Sequence, residues 1–195
     1  SSINDGVSQA IGKYILLLND DMVLCDGSSI LPLIKSMSDN VFSVTPSILN
    51  AKRNYKEEGF KLEKWENGLL SQVIPGLRDI KNVPHGLSQH DYLHGGCSLI
   101  NRKYFIHLGR YDLIYSPGYW EDSDLSLRAK RAGYKIFFQP ATKFIHYHSM
   151  TFNRLYFERQ KMLLGYRNQY LLNIKNHPTS GYGVLVKILL LIQKI

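Results

Sequence analysis

The sequence predicts an α/β domain, and three observations carry that prediction. Apolar runs of strand length alternate with segments of helical period, glycines close several of those segments, and polar clusters fall where the runs end. Open α/β sheets hold their ligands at such strand ends. A chain of 195 residues with 44% hydrophobic side chains is sized for one core and falls short of two full domains.

Residues 7 to 12 read as a helix end closed by Gly12, and Lys13 to Leu18 as a buried strand that stops at Asn19-Asp20-Asp21. Ser28-Ser29 precede a helical segment from Ile30 to Met37. Val41 to Pro46 is a second strand, whereas Asn50 to Gln89 shows no sustained period and reads as a long, loop-rich insertion. His94 to Ile100 is a strand entered through Gly95-Gly96, and Arg102 to Leu108 a short helix ended by Gly109. The stretch from Leu125 to Ala132 is a helix closed by Gly133. Tyr134 to Phe138 and Ala141 to Tyr147 read as two strands, and residues 153 to 175 as a long helix with a basic face. His177-Pro178 separates it from an apolar tail interrupted by Lys187, too short for a spanning helix.

Residues 1–100 carry nine basic and eleven acidic side chains, whereas residues 101–195 carry fifteen and five. That asymmetry points to an anionic partner or to a solvated basic face. Its basic residues form no nucleic-acid motif, so nucleic acid is not an expected partner. Cys25 and Cys97 have neither disulfide-scaffold nor zinc spacing, which suits a reducing compartment. The Ser-Ser start carries no leader pattern, and a processed chain or an excised fragment is expected.

Three polar clusters can carry chemistry: Asn19-Asp20-Asp21, Glu121-Asp122-Ser123-Asp124 and His146-Tyr147-His148. Carboxylates with imidazole suit Mg²⁺ or Mn²⁺, and a carboxylate at a helix entrance suits a general base. The same residues also read as turn formers at Asp20 and Asp21, and as helix charge-matching at Glu121, Asp122 and above all Asp124.

In this order the pieces resemble a known family. Ala10 to Asp21 resembles the A-x-G-x-Y-I-L-x-L-(N/D)-x-D segment of family 2 glycosyltransferases, which have the A-type glycosyltransferase fold. Gly95 to Arg102 is similar to their acceptor-side glycine strand, and Glu121 to Tyr134 matches their E-D-x-D-L-x-x-R-x-x-x-A-G-Y block. Ile145-His146 with Ser149 to Phe152, and Tyr166-Arg167-Asn168, resemble rhamnosyltransferase-like members.

The resemblance covers roughly residues 4 to 175 and implies a catalytic domain over residues 1–176, lacking the family's first nucleotide-binding strands, followed by a tail over 177–195. It implies an inverting transfer of a sugar from a nucleotide-sugar donor to a hydroxyl of a glycan or lipid-linked acceptor. Asp122 matches the catalytic base, with Glu121 beside it to orient acceptor or base. Asp21, with Asp20 and His146, matches the ligands of a divalent metal ion, Mg²⁺ or Mn²⁺. Asn19, Arg167 and His148 fall on the donor and diphosphate side, and Gly95, Gly96, Tyr119 and Trp120 on the acceptor side. A cytoplasmic enzyme at the inner face of the membrane, with peripheral membrane contact and a role in surface polysaccharide synthesis, is the expected setting. The competing expectation is a non-catalytic module that binds membrane or anionic glycan through the basic half and the tail.

Overall fold

The computed structural model describes residues 2–51, 56–66, 69–147 and 157–176. In chain order its helices are α1 (Ser2–Gln9), α2 (Leu31–Lys35), α3 (Arg102–His107), α4 (Glu121–Arg131) and α5 (Glu158–Asn176). Its strands are β1 (Tyr14–Leu18), β2 (Met22–Leu24), β3 (Val41–Asn50), β4 (Lys56–Glu57), β5 (Leu62–Glu66), β6 (Leu69–Val73), β7 (Ser88–Gln89), β8 (Cys97–Asn101) and β9 (Lys135–His146).

One mixed sheet organises the domain in the order β1-β8-β3-β9-β2, with β4 on β3 and β7 on β9. Strands β3 and β9 run parallel, and the other pairings are antiparallel. Alternation along each strand sends its side chains to opposite faces. Leu17, Phe42, Ile100 and Ile136 pack with Val7, Phe105, Leu125 and Ala129 from α1, α3 and α4. On the other face Val44 and Leu99 pack with Leu33 and Met37 at α2. Helices therefore cover both faces, as the α/β reading requires.

Local signals explain the element ends. Asn101 caps α3 by accepting from the Tyr104 N–H, and Gly109 at φ +85° and Gly133 at φ +81° take the left-handed positions after α3 and α4. The Ser29 hydroxyl accepts from the Leu31 N–H at 3.2 Å, and Pro32 stands in the first turn of α2.

Four expectations change. Strand β1 is only half-buried, because among the described residues it pairs with β8 alone. Helix α4 starts at Glu121, four residues before the apolar period begins, so Glu121 and Asp122 lie within its first turn. Two expected strands are one, β9: Pro140, Ala141 and Thr142 bulge out of register between Gln139 and Lys143 while the pairing with β3 resumes at Ser47. The insertion contains a hairpin, β5 with β6, braced by Gln72 donating to the Ser123 hydroxyl at 2.7 Å and by the Leu70 N–H donating to Asn173 at 2.7 Å. No helix among the described residues is long and apolar enough to cross a membrane. The expectations for residues 153–156, for His148 and Ser149 to Phe152, and for the tail lie outside the described residues.

Candidate active site

Two polar groups meet at the turn that leads into β8. Strand β1 delivers Asn19-Asp20-Asp21 at its end, the last residue of β9 is His146, and the first turn of α4 brings Glu121 and Asp122. The glycine pair lies between them. The Gly95 N–H donates to the Asp122 carboxylate at 3.2 Å, while the Gly96 carbonyl accepts from the Asn19 N–H at 2.9 Å. A side chain is excluded at Gly95, whereas at Gly96 the exposed Asn19 amide would have to move aside. A Cβ at Gly95 would collide with Asp122 Oδ1, and one at Gly96 would lie 2.8 Å from Asn19 Nδ2.

Asp122 also accepts from the Tyr92 hydroxyl at 2.9 Å, and the Tyr111 hydroxyl faces it. Burial pushes its carboxyl above the usual carboxylate range, and these donors with the Lys61 charge oppose that rise. Glu121 is pushed up to about 8 by burial first and by the Asp122 charge second, and its Oε2 has no hydrogen-bond partner among the described residues. It lines a cavity of about 270 Å³ with Tyr111, Tyr115 and the 116–118 loop.

On the other side Asp21 Oδ2 lies 3.3 Å from His146 Nε2, and His146 Nδ1 lies 3.3 Å from Glu58 Oε2. Asn50 donates in turn to Glu58. Backbone pairing fixes this set, because His146 is in register with Met22 and Asn50, and the Tyr147 N–H donates to the Asp21 carbonyl at 3.0 Å. Asn19 and Asp20 are exposed at the turn. Oxygen and imidazole donors suit Mg²⁺ or Mn²⁺. No group of three or more such side chains is assembled among the described residues. Asp21 and His146 together offer one carboxylate and one imidazole, fewer donors than a cation caged by protein side chains needs.

Four residues of this site carry no signal in the sequence: Lys61, Tyr92, His94 and Glu58. The Lys61 ammonium stands 4.1 Å over the Tyr92 ring, and burial lowers its pKa while Asp122 and Glu58 act to raise it. The His94 ring stands edge-on to both Tyr92 and His146, at 6.1 and 6.4 Å between centroids. Tyr92 and His94 fall in the irregular approach to β8, and Lys61 and Glu58 in the insertion, where single residues have no pattern to mark them.

Tyr119 and Trp120, which lead into α4, both adopt left-handed backbone conformations, at φ 75° and 72°. Such positions are strained for non-glycine residues and need support from their surroundings. Asn168 of α5 supplies it, donating to the carbonyls of Tyr115, Gly118 and Tyr119 at 2.7, 2.7 and 3.1 Å. Trp120 packs against the cluster of Leu70, Tyr115, Leu127 and Leu172, while Tyr119 is exposed. Arg167 is directed to the Ser116 and Ile114 carbonyls at 3.4 and 3.5 Å, on the α5 side of this loop. Asp124 is fully buried and belongs to a structural network with Arg128, Lys175, Asn176 and Tyr115.

No protein-family model matches the chain, and no curated protein matches its sequence. Among solved structures it is similar to the crystal structure of GalNAc-T7 with UDP, GalNAc and Mn²⁺, with a TM-score of 0.57 and 19% sequence identity. The match covers 77% of this chain and 30% of that one, so the chain corresponds to under a third of the length of this neighbour. At such identity it is the architecture that is shared: the mixed sheet with helices on both faces is the A-type glycosyltransferase fold.

Proposed function

We propose that the chain belongs to an inverting, metal-assisted glycosyltransferase of the family 2 type, which moves a sugar from a nucleoside-diphosphate donor to a hydroxyl of a glycan or lipid-linked acceptor. The observation that carries this reading is the Gly95-Gly96 turn, which bonds the Asp122 carboxylate on one side and the Asn19-to-Asp21 turn on the other. A buried carboxylate beside an acceptor, within reach of a polar cluster suited to a diphosphate, is the pairing a single displacement needs.

In this reading Asp122 takes the proton from the attacking hydroxyl. Its burial makes it a stronger base than a solvated aspartate, and Tyr92 and Gly95 hold its orientation. Glu121, protonated up to about pH 8, donates a hydrogen bond to an acceptor hydroxyl. Tyr119 offers an exposed ring for a sugar face beside the 116–118 loop. Asp21 and His146, with Asp20 adjacent, would hold the cation, and Asn19 lies at the same turn. A divalent ion bound there supplies Lewis-acid stabilisation of the departing diphosphate. Arg167, directed to the Ser116 and Ile114 carbonyls, would add positive charge for the diphosphate, the role the family resemblance implies for it.

The test is calorimetric. UDP, dTDP and GDP are titrated with Mn²⁺ into the chain and into Asp21→Ala. Metal-dependent binding that the variant loses supports the reading and names the nucleotide class. Asp122→Asn is expected to keep that binding and to lose transfer by about 10²-fold or more. Transfer that survives in Asp122→Asn, or a product with the anomeric configuration of the donor, sinks the inverting mechanism.

A further inference from the structure

Other lysines packed into this fold meet acids directly. Lys130 lies 2.9 Å from Glu63 and 3.2 Å from Asp91, and Lys175 lies 2.8 Å from Asp112 and 2.9 Å from Asp124. Lys61 departs from that habit. It is half-buried, yet among the described residues its ammonium makes no ion pair and no hydrogen bond, and what it faces at 4.1 Å is the Tyr92 ring. Backbone pairing holds it there, since the Lys61 carbonyl accepts from the Asp91 N–H at 3.3 Å.

The surroundings of Lys61 join the two halves of the site. The Tyr92 hydroxyl donates to Asp122 at 2.9 Å, and the His94 ring stands edge-on to both Tyr92 and His146. Asp122 and then Glu58 are the acids that act most strongly to keep Lys61 charged, against its burial. Glu58 in turn reaches His146 Nδ1 at 3.3 Å, and Asp21 reaches His146 Nε2 at the same distance. An ammonium therefore stands between the base and the Asp21-His146 pair with its donors unassigned.

Sugar transfer would bring an acceptor for them. As the bond from the anomeric carbon to the diphosphate breaks, its electron pair stays on the phosphate oxygen, and the proton of the attacking hydroxyl passes to Asp122. A sugar lying before Asp122, with its diphosphate toward Asp21 and His146, puts that oxygen between the two groups. A cation fixed in advance where charge develops stabilises the transition state. We propose that Lys61 is a diphosphate-binding residue, whose ammonium donates to the phosphate oxygen that leaves the sugar. The assignment rests on the transferase reading and adds to it a residue of the insertion. Arg167 already directs its N–H groups to the Ile114 and Ser116 carbonyls and to Asn168, whereas Lys61 has no such bonds to give up.

The test uses the full chain with Mn²⁺ and inorganic pyrophosphate, so that neither the sugar nor the base need be known. Mn²⁺ alone is titrated first, and pyrophosphate is then titrated at fixed Mn²⁺. Lys61→Met and Lys61→Gln keep a stem over Tyr92 and remove the charge. Both should weaken pyrophosphate binding by about tenfold or more, and Lys61→Arg should bring it back to within a few-fold of the wild type. Mn²⁺ alone should bind no more weakly to any of them than to the wild type, because Lys61 is not a ligand. Pyrophosphate that binds the Met and Gln variants as it binds the wild type overturns the proposal, as does a wild type that binds none. Joint loss of Mn²⁺ and pyrophosphate in both variants also overturns it, since Lys61 would then support the fold of the site and not the ligand. The transferase reading fails separately: unchanged pyrophosphate binding in Lys61→Met, with transfer lost in Asp122→Asn, sinks the role of Lys61 alone.

Discussion

Gly95 donates its N–H to the Asp122 carboxylate at 3.2 Å from a position where a Cβ would collide with that same carboxylate. The main chain of the turn and the head of α4 are thus in direct contact, with no room for a methyl group. Gly95→Ala is expected to push Asp122 off its bonds to Tyr92 and Gly95, at a stability cost of about 1–3 kcal/mol. On the proposed transferase reading, nucleotide binding at the Asp21 side should persist while transfer falls. Chemical denaturation and a transfer assay on the same preparation check both parts, and full activity in the alanine variant would contradict the contact.

A second expectation concerns pH and Lys61. On the proposed transferase reading Asp122 acts in its ionised form, and burial raises the pH at which that form appears. The Lys61 ammonium over the Tyr92 ring opposes this rise. Lys61→Met removes the opposing charge, so the acid limb of the pH–rate profile should move to higher pH, and Lys61→Arg should restore it in part. A limb that stays in place in Lys61→Met would rule out this coupling.

The legible parts of the molecule are those with a local pattern. Strand β1 and the turn after it, the glycine pair and the acid block of α4 each occupy consecutive positions, so a family resemblance reaches them. Hairpin β5–β6 is not legible, because its placement rests on distant partners: Gln72 on Ser123, and Leu70 on Asn173 and Gln169. Lys61, Glu58 and Tyr92 join the site through that same tertiary arrangement. Strand β9 reads as two because Pro140 breaks a pattern that a bulge accommodates in space. The head of α4 escapes the pattern because Glu121-Asp122-Ser123-Asp124 carries no apolar period, although Ser123 and Asp124 are buried.

Glu121 makes stability depend on pH. In the folded chain its carboxyl holds a proton up to about pH 8, whereas an unfolded glutamate ionises near pH 4.3. Between these values the unfolded state binds fewer protons, so stability is full below about pH 4.3 and declines as pH rises toward 8. Glu121→Gln keeps the shape and removes the titration. Its melting temperature should match that of the wild type near pH 4 and exceed it at pH 8, because only the wild type has a buried carboxyl to ionise. Equal melting temperatures at both pH values would show that Glu121 ionises like a solvated acid.

Asp124 stands two residues from Asp122 on α4 and takes a different part. It is fully buried and meets Arg128 at 2.8 Å, Lys175 at 2.9 Å, Asn176 at 3.1 Å and the Tyr115 hydroxyl at 3.2 Å. It therefore joins α4, α5 and the 113–115 turn, the elements around the strained Tyr119-Trp120 entry to the site. Asp124→Ala takes the shared carboxylate from between Arg128 and Lys175 and leaves Lys175 its second acid, Asp112, at 2.8 Å. Removing one partner of a buried ionic group costs about 3–5 kcal/mol. Both cations keep some contact with water, at 20% and 35% exposure, which puts the expected loss near the lower end. Urea unfolding of Asp124→Ala and Asp124→Asn measures it. The asparagine variant should lose less, because its amide oxygen still accepts from Arg128 or Asn176. If Asp124→Ala unfolds within about 0.5 kcal/mol of the wild type, the network is ordinary surface charge and does not anchor α5.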